Sequence, residues 1–350
     1  SANNKDIFVT ASDLTLNGAL SNVAELQVTS SNNSTIGLAA AGALQIDGVE
    51  AAFIDATLFD VITAGAGTIT VGPLTVDQTD TIDTLDLNVT GNTSANQITF
   101  SGGSINLNAL NVEAGSDSAD AIIVSGAQIS TSNDLVKFDV GDVTFEGNAT
   151  SISTAGGNIE FDEALTLSTL VERTFNLNAV QGGNVGNIVF TGQVDIQNNN
   201  LTIDASGIVT VTSGIQGTTG DLDFTTSTRT DVDGAIGLTG AGTVTLDAVT
   251  ISGVDITTVG GAIDFSGAVN LNTGDVQIAS GAGASITFQS TVDGAQDLTL
   301  NSGGLTDFQG AVGSGNAIGD GADAAITINS TGATTFNSTL GTASGITSVN

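Results

Sequence analysis

Apolar residues in this chain recur as pairs two positions apart, with a polar or small residue between and after them. The run ITFQSTVDGAQDLTLNSGG at 286–304 shows the pattern, and LTDFQGAVGSGN follows it directly. Residues at i and i+2 point to the same side of an extended chain, so each pair predicts a strand of two or three residues with one buried face. Gly, Asn and Asp after each pair then turn the chain. No helix is compatible with so short a period.

The same phrase returns along the sequence: ITFSGGSINLN from Ile98, VTFEGNATSIS from Val143, IEFDEALTLS from Ile159, IVFTGQVDIQ from Ile188 and IDFSGAVNLN from Ile263. The repeat is near twenty residues where it is cleanest, from Ile286 through Leu305 to Ala325. Short strands and polar turns at that period predict a β-solenoid, in which each coil buries its apolar face only by stacking on the next. The expected fold is an all-β, right-handed parallel β-helix, continuous over 1–350 as one domain. At roughly 20 residues per coil it would hold on the order of 17 coils, each about 4.8 Å thick.

Three stretches interrupt the pattern and are expected as excursions. In 48–65 Ala, Phe and Leu crowd together and one helical turn would fit. The stretch 113–121 has no apolar anchor larger than Ala, and 216–234 is rich in Thr. All phenylalanines except those at 8, 53, 59, 138 and 175 fall in the repeated slot, which predicts an inward ladder of rings.

Charge changes the picture in one direction. Four Lys and Arg against 37 Asp and Glu leave a formal charge of −33, yet 40% of residues are apolar, enough to build a core. Such acidity argues against a nucleic-acid partner, whose phosphates need basic side chains, and against anionic membrane surfaces. No apolar run is long enough for a membrane-inserted helix. With no Cys there is no disulfide framework and no thiol chemistry.

VDGAQDLTLNSGG (292–304), FQGAVGSGN (308–316), ASITFQSTVDG (284–294) and STGATTFNSTLG (330–341) resemble the β-strand repeats of large bacterial exoproteins of the filamentous haemagglutinin/adhesin type. The resemblance implies a right-handed parallel β-helix, export to the cell surface and service as a stalk, adhesin or fibre. The family's amino-terminal secretion domain and any binding head have no counterpart among these residues.

Candidate chemistry is sparse. A lyase on this fold needs a basic residue titrating near neutrality, and a hydrolase needs two carboxylates across a groove with aromatic platforms for sugar. The chain has no His, Trp or Tyr, and Lys5, Lys137, Arg173 and Arg229 lie far apart in sequence, so no enzyme is expected and no cofactor is required. Calcium is the one ion the pattern admits. GDGADAAI (319–326) partly matches a glycine-aspartate calcium repeat and offers Asp320 and Asp323; Asp77 and Asp80, with Asp83 and Asp86 beyond them, form a second acidic run. Turn carboxylates more often serve only to solvate a loop. Strand patterning reaches Ile7/Val9 at one end and Phe336/Leu340 at the other without a capping helix, which predicts either a longer chain or homopolymeric head-to-tail stacking. A surface glycan recognised by the outer face or loops is the alternative partner.

Overall fold

The computed structural model describes residues 5–31, 35–51, 53–64, 67–75, 82–90, 96–115, 120–132, 135–147, 151–168, 174–180, 185–225, 228–320 and 325–341. The chain is almost entirely parallel β, with coils stacked into a β-solenoid of about 11 turns. Its contacts divide it into two units, Ser1–Thr169 with Asn176–Val189, and Leu170–Phe175 with Phe190–Asn350. No helix among the described residues is long and apolar enough to cross a membrane.

In the middle of the second unit each coil carries three short strands. Val244–Leu246, Val249–Ile251 and Ile256–Thr258 follow one another, and each pairs in parallel with its counterpart in the next coil: Ile263–Phe265, Val269–Leu271 and Val276–Ala282. The buried–half-buried–buried pattern of strand after strand is the i, i+2 code made visible. Val244 pairs with Ile263 and Ile263 with Ile286, so one coil here takes up close to the expected repeat.

The first unit has longer coils. Ile36 pairs with Ile69 and Ile69 with Ile98, both wider steps than the one from Ile98 to Ile122 that follows them. Longer coils make fewer turns, which is why there are about 11 and not the larger number that a uniform short repeat predicts. Here the strands Gln97–Leu107 and Ala121–Thr131 each run past a corner, bending at Gly102 and Gly103 in one and at Gly126 in the other, all with positive φ that only glycine adopts cheaply.

Of the expected excursions, 48–65 forms a helical turn, Gly48–Ala51, and then the long strand Ile54–Ala64, which pairs with Leu20–Ser30 on one side and Ile82–Thr90 on the other. Residues 116–119 lie outside the described residues, and Asp120 beside them is buried. The Thr-rich stretch 216–234 is threaded into the ladders rather than looped out. Leu222–Phe224 pairs with the strands of Leu201 and Val244, and Arg229–Val232 with those of Val209 and Val249.

The phenylalanine ladder is present, but it is not a single slot. In the second unit Phe265, Phe288, Phe308 and Phe336 stack with centroids 4.8, 4.8 and 4.7 Å apart and planes within 6°. In the first unit Phe138, which the phrase does not predict, stacks on Phe161 at 5.1 Å, and both belong to a different sheet from Phe100 and Phe145. The same apolar-x-Phe phrase therefore serves two faces of the coil. Each buried ring contributes about 1.5–3 kcal/mol of apolar burial, so the core is close to a column of rings walled by Ile, Leu and Val.

Corners are fixed by hydroxyls. Ser280, Ser302 and Ser330 stand in register on successive coils; the Ser280 hydroxyl donates to the Ala284 carbonyl at 2.8 Å and that of Ser302 to Leu305 at 3.0 Å. These side chains answer carbonyls the turning backbone would otherwise leave unpaired.

Candidate functional site

Among the described residues, three outward surfaces gather polar side chains, each in a column set by strand register. The first lies on the first unit, where Gln27, Asp60, Asp86, Asn111, Lys137 and Glu160 occupy successive rungs. Gln27 Nε2 donates to Asp60 at 2.9 Å, and Asn111 Nδ2 to Asp86 at 3.2 Å. Beside this column Asn88 donates to Glu113 at 2.7 Å, and the Lys137 ammonium bridges Asp139 at 2.9 Å and Asp162 at 3.1 Å.

Stacking puts Asp60 and Asp86 on adjacent rungs, with Glu113 and Asp139 nearby. Burial first, then the charges of Asp60 and Glu113, pushes Asp86 up to about 6, against a smaller lowering by the Asn111 hydrogen bond. Burial likewise raises Asp60. Asp139 moves the other way, because the hydrogen bond from Lys137 favours its charged form. The cluster is thus half compensated: lysine at one end, like charges facing each other at the other.

The second unit solves the same problem differently. Thr202, Asp223, Thr245, Asp264, Thr287, Asp307 and Thr335 follow rung by rung, alternating hydroxyl and carboxylate without a break. Like charges directly opposite destabilise a sheet. Alternation places carboxylates two rungs apart, on the order of 10 Å and near the screening length of physiological salt. Asp307 is further held by Gln309 at 3.0 Å and Asn337 at 2.8 Å, and burial raises Asp223, helped by the charge of Asp221.

The third surface is a groove of about 520 Å³ in the first unit, lined along one wall by Asn106, Ser130, Ser153 and Asn178. These four share a register column. Its floor is the corner residues Leu107, Thr131 and Thr154, all buried.

Of the calcium candidates, Asp77, Asp80 and Asp323 lie outside the described residues. Asp320 is exposed, and its backbone N–H donates to Asp297 at 3.3 Å. Asp83 is exposed at the start of the strand Ile82–Thr90, whereas Asp86, further along the same strand, faces Asp60. Among the described residues no three carboxylates gather in a group that could hold a metal ion. Reading the sequence linearly picks out carboxylates that are neighbours in the chain and misses Asp60, Glu113 and Asp139. Their only signal is a spacing of one coil, and coil length varies too much in the first unit to be read in advance.

The chain matches no protein-family model, no curated protein and no solved structure.

Proposed function

We propose that this chain is a non-catalytic structural β-solenoid of a bacterial surface filament or adhesin stalk, working outside the cell, whose coils associate end to end. The observation that carries this reading is the ring ladder that reaches, among the described residues, as far as Phe336. Its ring stacks on Phe308 at 4.7 Å and 2°, yet remains half-buried. The strands Ile326–Ser330 and Thr334–Phe336 pair, among the described residues, on one side only.

A strand edge that has no partner among the described residues, with an apolar column beneath it, can template one more coil. A second copy of this chain and a further coil of a longer chain satisfy that edge equally. The resemblance of the repeats to exoproteins of the filamentous haemagglutinin type fits a role in which length and rigidity are the product. A charge of −33 opposes sideways clumping while leaving end-on stacking open. The scarcity of Lys and Arg also leaves few sites for trypsin-like proteases.

The test is negative-stain microscopy and sedimentation over a concentration series, with Phe336→Lys alongside. Uniform fibres that lengthen with concentration, and that the variant fails to form, are expected. Particles that stay single at every concentration would remove end-to-end association.

A further inference from the structure

We infer that the groove along Asn106, Ser130, Ser153 and Asn178 is a binding site for an extended, neutral, polyhydroxylated chain, that is, a neutral oligosaccharide. Among the described residues its lining is uncharged, although the chain carries 37 acidic residues, so none of these side chains offers a cation or an anion a counter-charge. What the groove does offer is amide, hydroxyl, hydroxyl and amide on four consecutive rungs.

The hydroxyls are already oriented. Ser130 Oγ donates to Asn106 Oδ1, and Ser132 Oγ donates to Asn108 Oδ1 at 2.6 Å. A serine whose proton is committed presents its remaining lone pairs as acceptors. Two such acceptors in the lining select a ligand rich in hydroxyl donors. Two positions on from Ser130, Ser153 and Asn178 the groove is lined by Ser132, Ala155 and Val180, so the lining also turns from polar to apolar from coil to coil. A sugar ring has this same division, hydroxyls around its rim and C–H groups on its faces.

Spacing supplies the third argument. Parallel rungs repeat at about 4.8 Å, comparable to the advance of one residue in an extended β-linked hexose chain. A glycan lying along the stacking direction would meet one rung per sugar, and no part of the groove would need to move to receive it.

The experiment is isothermal titration of the full chain with three probes: a β-1,4-linked glucose hexamer, a β-1,4-linked N-acetylglucosamine hexamer, and an oligogalacturonate of equal length. Saturable binding of at least one neutral hexamer, with the acidic oligomer bound at least about tenfold more weakly, is expected. Ser153→Asp should weaken the neutral ligand by about tenfold or more without moving the thermal midpoint. Asn178→Ala, which adds no charge, covers the case in which the first variant does not fold. Failure of both neutral hexamers, equal binding of the acidic one, or wild-type affinity in a folded variant would overturn the site. Fibre growth does not enter the readout, so this inference stands or falls apart from end-to-end association.

Discussion

Phe288 lies between Phe265 and Phe308 with ring centroids 4.8 Å away on each side and its planes 3° and 6° from theirs. The spacing equals the rise from one coil to the next, so the rings are stacked by the sheet and the sheet is held in register by the rings. Removing the middle ring leaves a cavity that neither neighbour can fill without breaking register. Phe288→Ala is expected to cost about 3–5 kcal/mol. Because solenoid stability is close to a sum over neighbouring coils, the loss should be local. Hydrogen exchange should speed up in the strands Ile263–Phe265, Ile286–Phe288 and Thr306–Phe308 ahead of the rest of the second unit; uniform acceleration would contradict this.

Thr306 and Leu305 exchange the places their chemistry suggests. Thr306 is fully buried with its hydroxyl unpaired, and Leu305 is 37% exposed. The cause is Phe308: with its ring on Phe288, the residue two before it must also point inward, and a slip of one would turn the whole strand over. Thr306→Val should therefore stabilise the protein by about 1 kcal/mol, the relief of a buried unsatisfied hydroxyl. Leu305→Thr should change stability by no more than about 0.5 kcal/mol. Urea midpoints of the two variants check both statements.

The Asp60–Asp86 pair makes the first unit less stable as pH rises from mild acid to neutrality. Asp86 titrates in the folded protein at about 6, above its ordinary carboxylate value. A raised acid binds more protons folded than unfolded, so its contribution to stability is present below about pH 4 and is lost as pH rises through about 6. Asp86 remains partly open to solvent, and with screening the effect is on the order of 1 kcal/mol. Asp86→Asn should flatten the stability slope between about pH 4 and 6 and raise stability at neutral pH. Asp139 works oppositely: its lowered value stabilises at neutral pH and is lost on acidification below its ordinary range. A wild-type thermal midpoint that rises steadily from mild acid to neutrality would refute the Asp86 account.

Two glycines separate steric need from conformational need. A Cβ on Gly261 would collide with the Gly242 carbonyl oxygen of the preceding coil, whereas Gly283, at φ +76°, has open space around it. Gly261→Ala has to push two coils apart and should cost about 2 kcal/mol or more. Gly283→Ala only enters left-handed backbone, at about 1 kcal/mol. Thermal unfolding of the pair should rank them in that order.

Much of the fold is legible in the residues alone. Alternation at i, i+2 in Val244–Leu246, Ile263–Phe265 and Ile286–Phe288 leaves parallel stacking as the means of burying so many short apolar faces, and the sequence thereby determines a β-solenoid with rings in its core. The length of each coil was not legible, because a turn of any length satisfies the same local pattern; only pairing shows that Ile36 lies beside Leu44 on one side and beside Ile69 of the next coil on the other. Nor could the sequence divide its phenylalanines between faces, since Phe100 and Phe161 share the same Ile-x-Phe pattern and are received by different sheets. The polar columns depend on both choices at once. Asp60 against Asp86, Asp223 between two threonines, and the row from Asn106 to Asn178 exist because register aligns side chains a full coil apart in the chain. Local chemistry decided what each strand would bury; tertiary stacking alone decided what each outward side chain would stand beside.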